Sequence, residues 1–455
     1  AAVVLQNGIV VYKHFKNALS NYGVFDEKRI FLHGEDVNSF NLKGINLGIF
    51  VCEDIWVHNT ISKLNGTGID LAISINASPF DINKMNERLE AATRFSKETG
   101  APIIYVNQVG GQDEIVFDGN SFLADKNGLI KRLSYCQSVN ERIDFNSNDK
   151  SFSFKKDLEG EVDNNDLIYS NLTLGLRDYV NKNKFPGVVI GISGGIDSAF
   201  STCVATDALG PDRVKGILMP SKFTSSESNE DANELGENLG IELKSISIEE
   251  IVKAYDSTLD PLFKDSKKDI TEENIQSRAR GSLLMAYSNK FGHMVLTNGN
   301  KSEVSVGYST LYGDMCGGFS VVKDLYKSEL YKLAEWRNNN IPSNSVLDKK
   351  SLIPGNILTK EPTAELKPNQ MDKDTLPPYE VLDKILYLLV EKESSISEIV
   401  DSGFEVDVVT KVQNMLYNSE YKRRQAAPGV KISERNFGYD RRYPITNAFR
   451  DSKGS

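Results

Sequence analysis

Short apolar runs alternate with helical periodicities over the first part of the chain. Ile45–Val51 is an apolar run that ends at Cys52, and Leu71–Ile75 and Pro102–Val106 are two more. Runs of this length between polar stretches predict strands. Between the last two, Met85, Leu89 and Ala92 recur at helical spacing, which predicts one buried helix face. Asp144–Asp166 breaks the pattern with Asn, Asp, Lys, Ser and Glu, and reads as a linker. Beyond it, Leu167–Val180 predicts a helix and Val188–Ile192 a strongly apolar strand. A Gly-rich turn and an Ala/Thr-rich helix follow, then strands at Val214–Met219 and Ile241–Ile246. Strands alternating with helices predict a parallel sheet wrapped by helices. Ile341–Pro378 carries several prolines and few helical signals, and reads as a long functional loop. The expected organisation is a first domain over 1–145, a linker over 146–166 and a second domain over 167–455.

Composition narrows the class. The 455 residues allow two or three domains. Hydrophobic residues make up 40% and charged residues 25%, as in a soluble globular protein. The formal charge of −10 argues against nucleic-acid and anionic-membrane partners. No apolar run approaches the roughly 18 residues of a membrane span, and Val3–Leu5 is too short for a signal peptide. Cys52, Cys136, Cys203 and Cys316 are scattered without a CxxC pair, which fits a reducing cytoplasm and offers no zinc site.

The sharpest chemical signal is Gly191-Ile192-Ser193-Gly194-Gly195-Ile196-Asp197-Ser198, placed between an apolar strand and a helix. Its glycines permit a sharp turn and close backbone approach, and the helix start adds positive dipole. Together they make a nest for phosphate oxygens. The hydroxyls of Ser193 and Ser198 can donate to the same oxygens. Asp197 can hold Mg²⁺, which prefers carboxylate and phosphate ligands. The loop differs from GxxxxGKS/T, which supplies a lysine. It looks like the SGGxDS loop of enzymes that split ATP into AMP and pyrophosphate.

Further motifs narrow the resemblance. They are Asn274-Ile275-Gln276-Ser277-Arg278-Ala279-Arg280, Thr297 to Glu303, Tyr308 to Asp314, Lys327, Lys360 to Leu366, Pro377 to Glu380 and Lys422 to Gln425. From about Leu167 to Asp451 the chain resembles the synthetase domain of the glutamine-dependent NAD synthetases. The resemblance implies a doubly wound parallel sheet and an ATP-dependent amidation of deamido-NAD to NAD through an adenylated intermediate. By the same match Glu303 is the second Mg²⁺-binding carboxylate. Asn298, Lys327 and Thr363 contact ATP. Asn274, Tyr308 and Lys422 contact deamido-NAD, with Arg278 and Asp314 beside them. The chemistry needs such groups. A carboxylate is a poor electrophile, and transfer of AMP onto it makes a mixed anhydride that ammonia can attack. Mg²⁺ and lysines stabilise charge on the departing pyrophosphate.

Cys52 supplies a motif for making ammonia in place. It ends a strand and continues as Glu53-Asp54-Ile55-Trp56. A thiolate at a strand-to-helix junction can be stabilised by the helix start. It can attack the carboxamide of glutamine and release ammonia. Upstream, Lys16 to Tyr22 and Phe25 to Arg29 are similar to the lysine segment of nitrilase-type glutaminases. Asn107 to Ser121 is similar to the same domain. The match implies that Lys16 stabilises the oxyanion, that Tyr22, Ser78 and Lys84 contact glutamine, and that this part is one portion of an α/β/β/α sandwich. The family's glutamate base would lie before residue 1, and position 20 is Ser where the family usually has Pro. Glu27 and Glu53 lie near the motif without matching that base. The family also implies a synthetase homodimer and an ammonia tunnel.

Two other functions use similar parts. An RNA-modifying enzyme would adenylate a base through the same loop, with a basic face and often a cysteine pair, against which the net charge and the cysteine spacing stand. A hydrolase fused to a nucleotide sensor would not need paired carboxylates such as Asp197 and Glu303.

Overall fold

A computed structural model describes residues 1–64, 68–154, 162–264, 266–368 and 370–451. The chain forms two compact units, Ala1–Gly110 with Val116–Leu167, and Gly111–Ile115 with Ile168–Ser455.

The first unit is built on a six-stranded sheet. Its order is Gly128–Arg132, Phe122–Asp125, Ile103–Asn107, Leu71–Asn76, Ile45–Val51, Ser39–Leu42. The three strands read from the apolar runs are its parallel centre. The outer strands run antiparallel, which the alternation of strands and helices by itself does not mark. At the Ser39–Leu42 edge the reason is connection length. Leu42 and Ile45 are joined by Lys43-Gly44 at φ 53 and 87, a two-residue hairpin turn. A parallel crossover needs a dozen or more residues. The strands alternate as a pleated sheet must. Phe50, Ala72, Ile103 and Tyr105 face the Lys84–Thr99 helix and bury its Ala92 and Phe95, with Met85 and Leu89 at the margin. Leu47, Ile49 and Leu71 pack on the other face with Ala2.

Within the stretch read as linker, Asp144–Asn146 pairs with Ser151–Ser153 in a small hairpin, and Asn164 already opens a helix that runs to Lys182. Residues 155–161 of that linker lie outside the described residues.

The second unit has a four-stranded parallel sheet in the order Glu242–Ser245, Val214–Leu218, Val188–Gly191, Met294–Leu296. The chain leaves Val188–Gly191 toward one side and returns on the other. The crevice at the carboxyl end of that strand is therefore a topological switch point, where doubly wound sheets hold ligands. Val189, Ile217 and Val295 pack with Leu284 of the Ile270–Phe291 helix on one face. The Ile196–Leu209 helix packs against the same strands, and every one of its residues except Asp197 is buried. Its Asp207 is fully buried and held by Arg337 through two bonds of 2.7 and 2.9 Å and by Tyr169 at 2.7 Å. Such a buried carboxylate persists because it is paired and hydrogen-bonded.

A helical cluster follows, built from Tyr379–Val390, Ile396–Asp401 and Val406–Asn418. Leu382, Ile385, Leu386, Val409, Val412 and Leu416 form its core, against which Val304 and Val306 of the short Lys301–Val306 helix pack. That packing fixes the helix carrying Glu303. Ile341–Pro378 contains one short helix, Gly355–Thr359, and a single turn at Asp372–Asp374 among its described residues. Five residues of the earlier sequence, Gly111–Ile115, group with this unit, where Glu114 pairs with Lys323 at 2.6 Å.

Candidate active sites

In the first unit the Ile45–Val51 strand ends and Cys52 turns at φ 49, a left-handed conformation that strains a residue with a β-carbon. The expected helix start is a four-residue 3₁₀ turn, Cys52–Ile55. So short a turn carries little dipole. Charge around the thiol has another source. Burial pushes the Cys52 thiol up, Lys16 pulls it down, and Glu53 pushes it up again. Lys16 donates to both oxygens of Glu27 at 2.8 and 2.7 Å.

One buried carboxylate ties these pieces together. Asp54 Oδ1 accepts from the backbone N–H groups of Asn17 and Ala18 at 2.8 and 2.9 Å. Asp54 Oδ2 accepts from the N–H of Val51 at 3.0 Å and meets His14 Nε2 at 2.8 Å. The lysine segment and the Cys52 turn thus share one anchor. Asp54→Ala leaves three half-buried N–H groups and the buried His14 ring without their acceptor. It is expected to lower stability by about 3 kcal/mol, read from denaturant unfolding, and to reduce glutamine hydrolysis through misplacement of Lys16.

The residues expected to contact glutamine gather nearby. Tyr22 donates to Glu53 Oε2 at 2.9 Å, and the burial of its ring and the negative groups beside it raise the phenol. Lys84 bonds Glu87 at 2.7 Å and lies over the Trp56 ring. Ser78 is buried, with its N–H on Asn107 Oδ1 and its hydroxyl accepting from Arg88 Nε.

In the second unit the Ser193–Ser198 loop sits at the switch point. Gly194 has φ 74, and a Cβ there would lie 2.3 Å from the carbonyl oxygen of Ser228. Gly194→Ala is expected to lower stability by about 2 kcal/mol and to abolish any reaction at this loop, because strain and overlap act together; thermal unfolding and ammonium-supported turnover check it. The Ser193 and Ser198 hydroxyls lie 3.1 Å apart, and Ser198 Oγ donates to the Gly195 carbonyl at 3.0 Å.

Lys327 starts its helix with its ammonium between two carboxylates. It bonds Asp197 Oδ2, and Glu303 Oε1 at 3.1 Å. Asn300 holds the other Asp197 oxygen at 2.7 Å and caps the Glu303 helix by accepting from the Glu303 N–H at 3.0 Å. Burial pushes the Glu303 carboxyl up to about 8; Lys327 opposes the rise, and Asp197 and Asp372 add to it. Asp372 in turn accepts from the Tyr379 hydroxyl at 2.8 Å.

Asn298, Glu303, Tyr308, Asp314, Lys327 and Thr363 line one cleft with the loop, a cavity of about 320 Å³. Asn298 donates to the Gly191 carbonyl, while its buried Oδ1 has no hydrogen-bond partner among the described residues. Thr363 Oγ1 donates to Gln370 O at 2.5 Å and accepts from the Glu365 N–H. Burial raises the Asp314 carboxyl, which accepts from the Thr310 N–H.

The chain matches the family model of NAD synthase over residues 168–426 and that of carbon-nitrogen hydrolase over residues 1–134. It is 43% identical to a glutamine-dependent NAD(+) synthetase of Acinetobacter baylyi, over 99% of this chain and 82% of that one. The chain belongs to the glutamine-dependent NAD(+) synthetase family. A Thermotoga maritima member is 42% identical over 99% of this chain and 83% of its own. The solved structure of the Acinetobacter baumannii enzyme in complex with ADP superposes with a TM-score of 0.75 at 40% identity, covering 99% of this chain and 82% of that one. The Cytophaga hutchinsonii structure, at 21% identity, shares the fold with a TM-score of 0.77, over 98% and 81%.

Three of the residues assigned to deamido-NAD by family resemblance stand beside the cleft, not on its wall. Asn274 Oδ1 accepts from Thr310, Arg278 Nε donates to Leu311 O at 3.2 Å, and Lys422 donates to the carbonyls of Gly307 and Ser309. Burial lowers the Lys422 ammonium. Residue order by itself assigns no role to Asn300, Asp372, Lys360 or Asp54. Asn300, Lys360 and Asp54 lie inside the quoted motifs, so their neighbours were the available signal. Asp372 lies in the long loop with no local pattern to mark it.

Proposed function

We propose that the protein amidates deamido-NAD to NAD, with ATP as co-substrate and glutamine as the nitrogen source. The observation that carries this is the convergence of Asp197 and Glu303 on the Lys327 ammonium beside the Ser193–Ser198 loop. Cys52 Sγ attacks the glutamine carboxamide carbon, and Lys16 Nζ donates to the oxyanion. Ammonia leaves, and water cleaves the thioester to glutamate. Tyr22, Ser78 and Lys84 hold the glutamine.

In the second unit a nicotinate carboxylate oxygen attacks the α-phosphorus of ATP. The bond to the α,β-bridging oxygen breaks and pyrophosphate departs. Ammonia then attacks the acyl carbon and AMP leaves. The loop N–H groups, the Ser193 and Ser198 hydroxyls, Asn298 and Thr363 bind ATP, and Lys327 faces its phosphates. Tyr308, Asn274, Arg278, Asp314 and Lys422 bind deamido-NAD.

The carboxylate pair fits Mg²⁺. Half-buried Glu303 and Asp197 meet on the Lys327 ammonium, with the Asp372 carboxyl also acting on Glu303. Among the described residues no three acidic, His or Cys side chains close into a complete metal site, and Mg²⁺ commonly takes one or two carboxylates together with substrate phosphates. Asp197 and Glu303 would hold the ion, which stabilises charge on the phosphoryl oxygens.

A homodimer is part of this reading. Among the described residues, the Glu249–Phe263 helix has no buried side chain and exposes Tyr255, Leu262 and Phe263. A cytoplasmic location belongs to the same reading, since the reaction draws on ATP and the four cysteines form no disulfide among the described residues. The test is NAD formation from deamido-NAD, ATP and Mg²⁺ with glutamine or ammonium. Pyrophosphate release that depends on deamido-NAD is expected, and its absence with both nitrogen sources rejects the assignment.

A further inference from the structure

The nucleotide cleft is lined, among the described residues, by three cationic side chains, Arg280, Lys327 and Lys360, against six carboxylates. A nucleoside triphosphate entering it brings still more negative charge, so each cation there matters. Lys327 is bound by two carboxylates. Arg280 gives its Nε proton to the Met219 carbonyl at 3.0 Å, at the end of the Val214–Leu218 strand. Lys360 is differently placed. Its Nζ donates to Ser228 Oγ at 2.6 Å, and Ser228 abuts the loop through the carbonyl that excludes a Cβ at Gly194.

Glu365 occupies the same spot. Its Oε1 accepts from Ser228 Oγ at 2.8 Å and from Ser225 Oγ at 2.9 Å, and lies 3.6 Å from Lys360 Nζ. The residue holds φ 47, a left-handed conformation that costs energy for a side chain with a Cβ. A carboxylate thus sits among a lysine and two hydroxyls, the donor set that also suits a phosphate.

We propose that Lys360 is a catalytic residue that binds the departing pyrophosphate, and that Glu365 competes with that anion for Lys360, Ser225 and Ser228. The proposal rests on the ATP-dependent reading above. When the bond between the α-phosphorus and the bridging oxygen breaks, its electron pair stays on the pyrophosphate. Lys360 Nζ donates to that growing negative charge. Glu365 yields the hydroxyls as pyrophosphate forms and takes them back as it leaves, which favours product release.

The test uses the whole chain, ammonium as the nitrogen source, and inorganic pyrophosphate and AMP as product inhibitors. Wild-type turnover releasing pyrophosphate is the reference; without it the proposed function itself fails, independently of Lys360. Lys360→Met is expected to lower kcat/KM for ATP about 10²-fold. It should weaken pyrophosphate inhibition about tenfold or more and leave AMP inhibition unchanged. Lys360→Arg should recover most of the loss. Glu365→Gln removes the competing charge and should tighten pyrophosphate inhibition. A Lys360→Met protein that keeps wild-type pyrophosphate inhibition, or loses pyrophosphate and AMP inhibition equally, overturns the role of Lys360. Weaker pyrophosphate inhibition in Glu365→Gln overturns the competition.

Discussion

Replacing Cys52 with alanine is expected to abolish NAD formation from glutamine and to leave the ammonium-supported reaction within about twofold of wild type. Loss of a covalent nucleophile removes about four orders of magnitude or more, because binding and oxyanion donors alone cannot form the acyl intermediate. The surroundings of Cys52 support the size of the effect. Cys52 holds a φ of 49 and is half-buried, and the Lys16 charge lowers its thiol against the push of desolvation. Alanine keeps the β-carbon and so keeps the backbone turn, and Asp54 still anchors Asn17, Ala18 and Val51. Stability should therefore change little. The measurement is NAD produced per minute with each nitrogen source. Retained glutamine-supported turnover in Cys52→Ala would assign the nucleophile elsewhere. Loss of the ammonium reaction as well would mean that Cys52 supports the synthetase unit through structure.

Asp197→Asn is expected to lower turnover with both nitrogen sources by about 10³-fold. Asp197 is the unburied residue of the Ile196–Leu209 helix. One of its oxygens is held by Asn300 and the other by Lys327. An amide keeps the volume but not the charge. If its nitrogen faces Lys327, two donors confront each other; if it faces Asn300, the same conflict arises there. Lys327 is left with Glu303 as its carboxylate, and the pair proposed to hold Mg²⁺ is reduced to one. The helix itself is unaffected, since its buried face does not include Asp197. Unfolding temperature within a few degrees of wild type, together with loss of both reactions, is the expected result. Near-normal ammonium-supported activity would remove Asp197 from the chemistry and the paired-carboxylate reading with it.

The two substitutions separate the two reactions. Cys52→Ala discriminates between nitrogen sources and Asp197→Asn does not. That contrast distinguishes a two-step enzyme from a hydrolase beside a nucleotide sensor, in which Asp197→Asn would leave no product to lose.

Elements with a local cause were legible from residue order. The runs Ile45–Val51, Leu71–Ile75 and Val188–Ile192 are apolar segments between polar ones, and each is a strand within a residue or two of its predicted bounds. Hydrophobic burial and backbone pairing act on such runs wherever the chain takes them. The loop from Gly191 to Ser198 was legible for the same kind of reason, because its glycines permit a turn that a Cβ would block against Ser228. Family resemblance, not spacing, supplied the roles of Lys16, Thr363 and Lys422. The antiparallel Ser39–Leu42 edge follows from a single two-residue turn, Lys43-Gly44, whereas alternation alone favours parallel pairing. Other features have no local signature. Lys327 reaches Asp197 across 130 positions, Lys360 reaches Ser228 across 132, and His14 meets Asp54 across 40. Which charge a lysine neutralises depends on how helices and strands pack, because electrostatic energy depends on distance in space and on local dielectric. Residue order set the strands, the nucleotide loop and the chemistry they suggest; the tertiary fold decided which carboxylates, lysines and hydroxyls share a cleft.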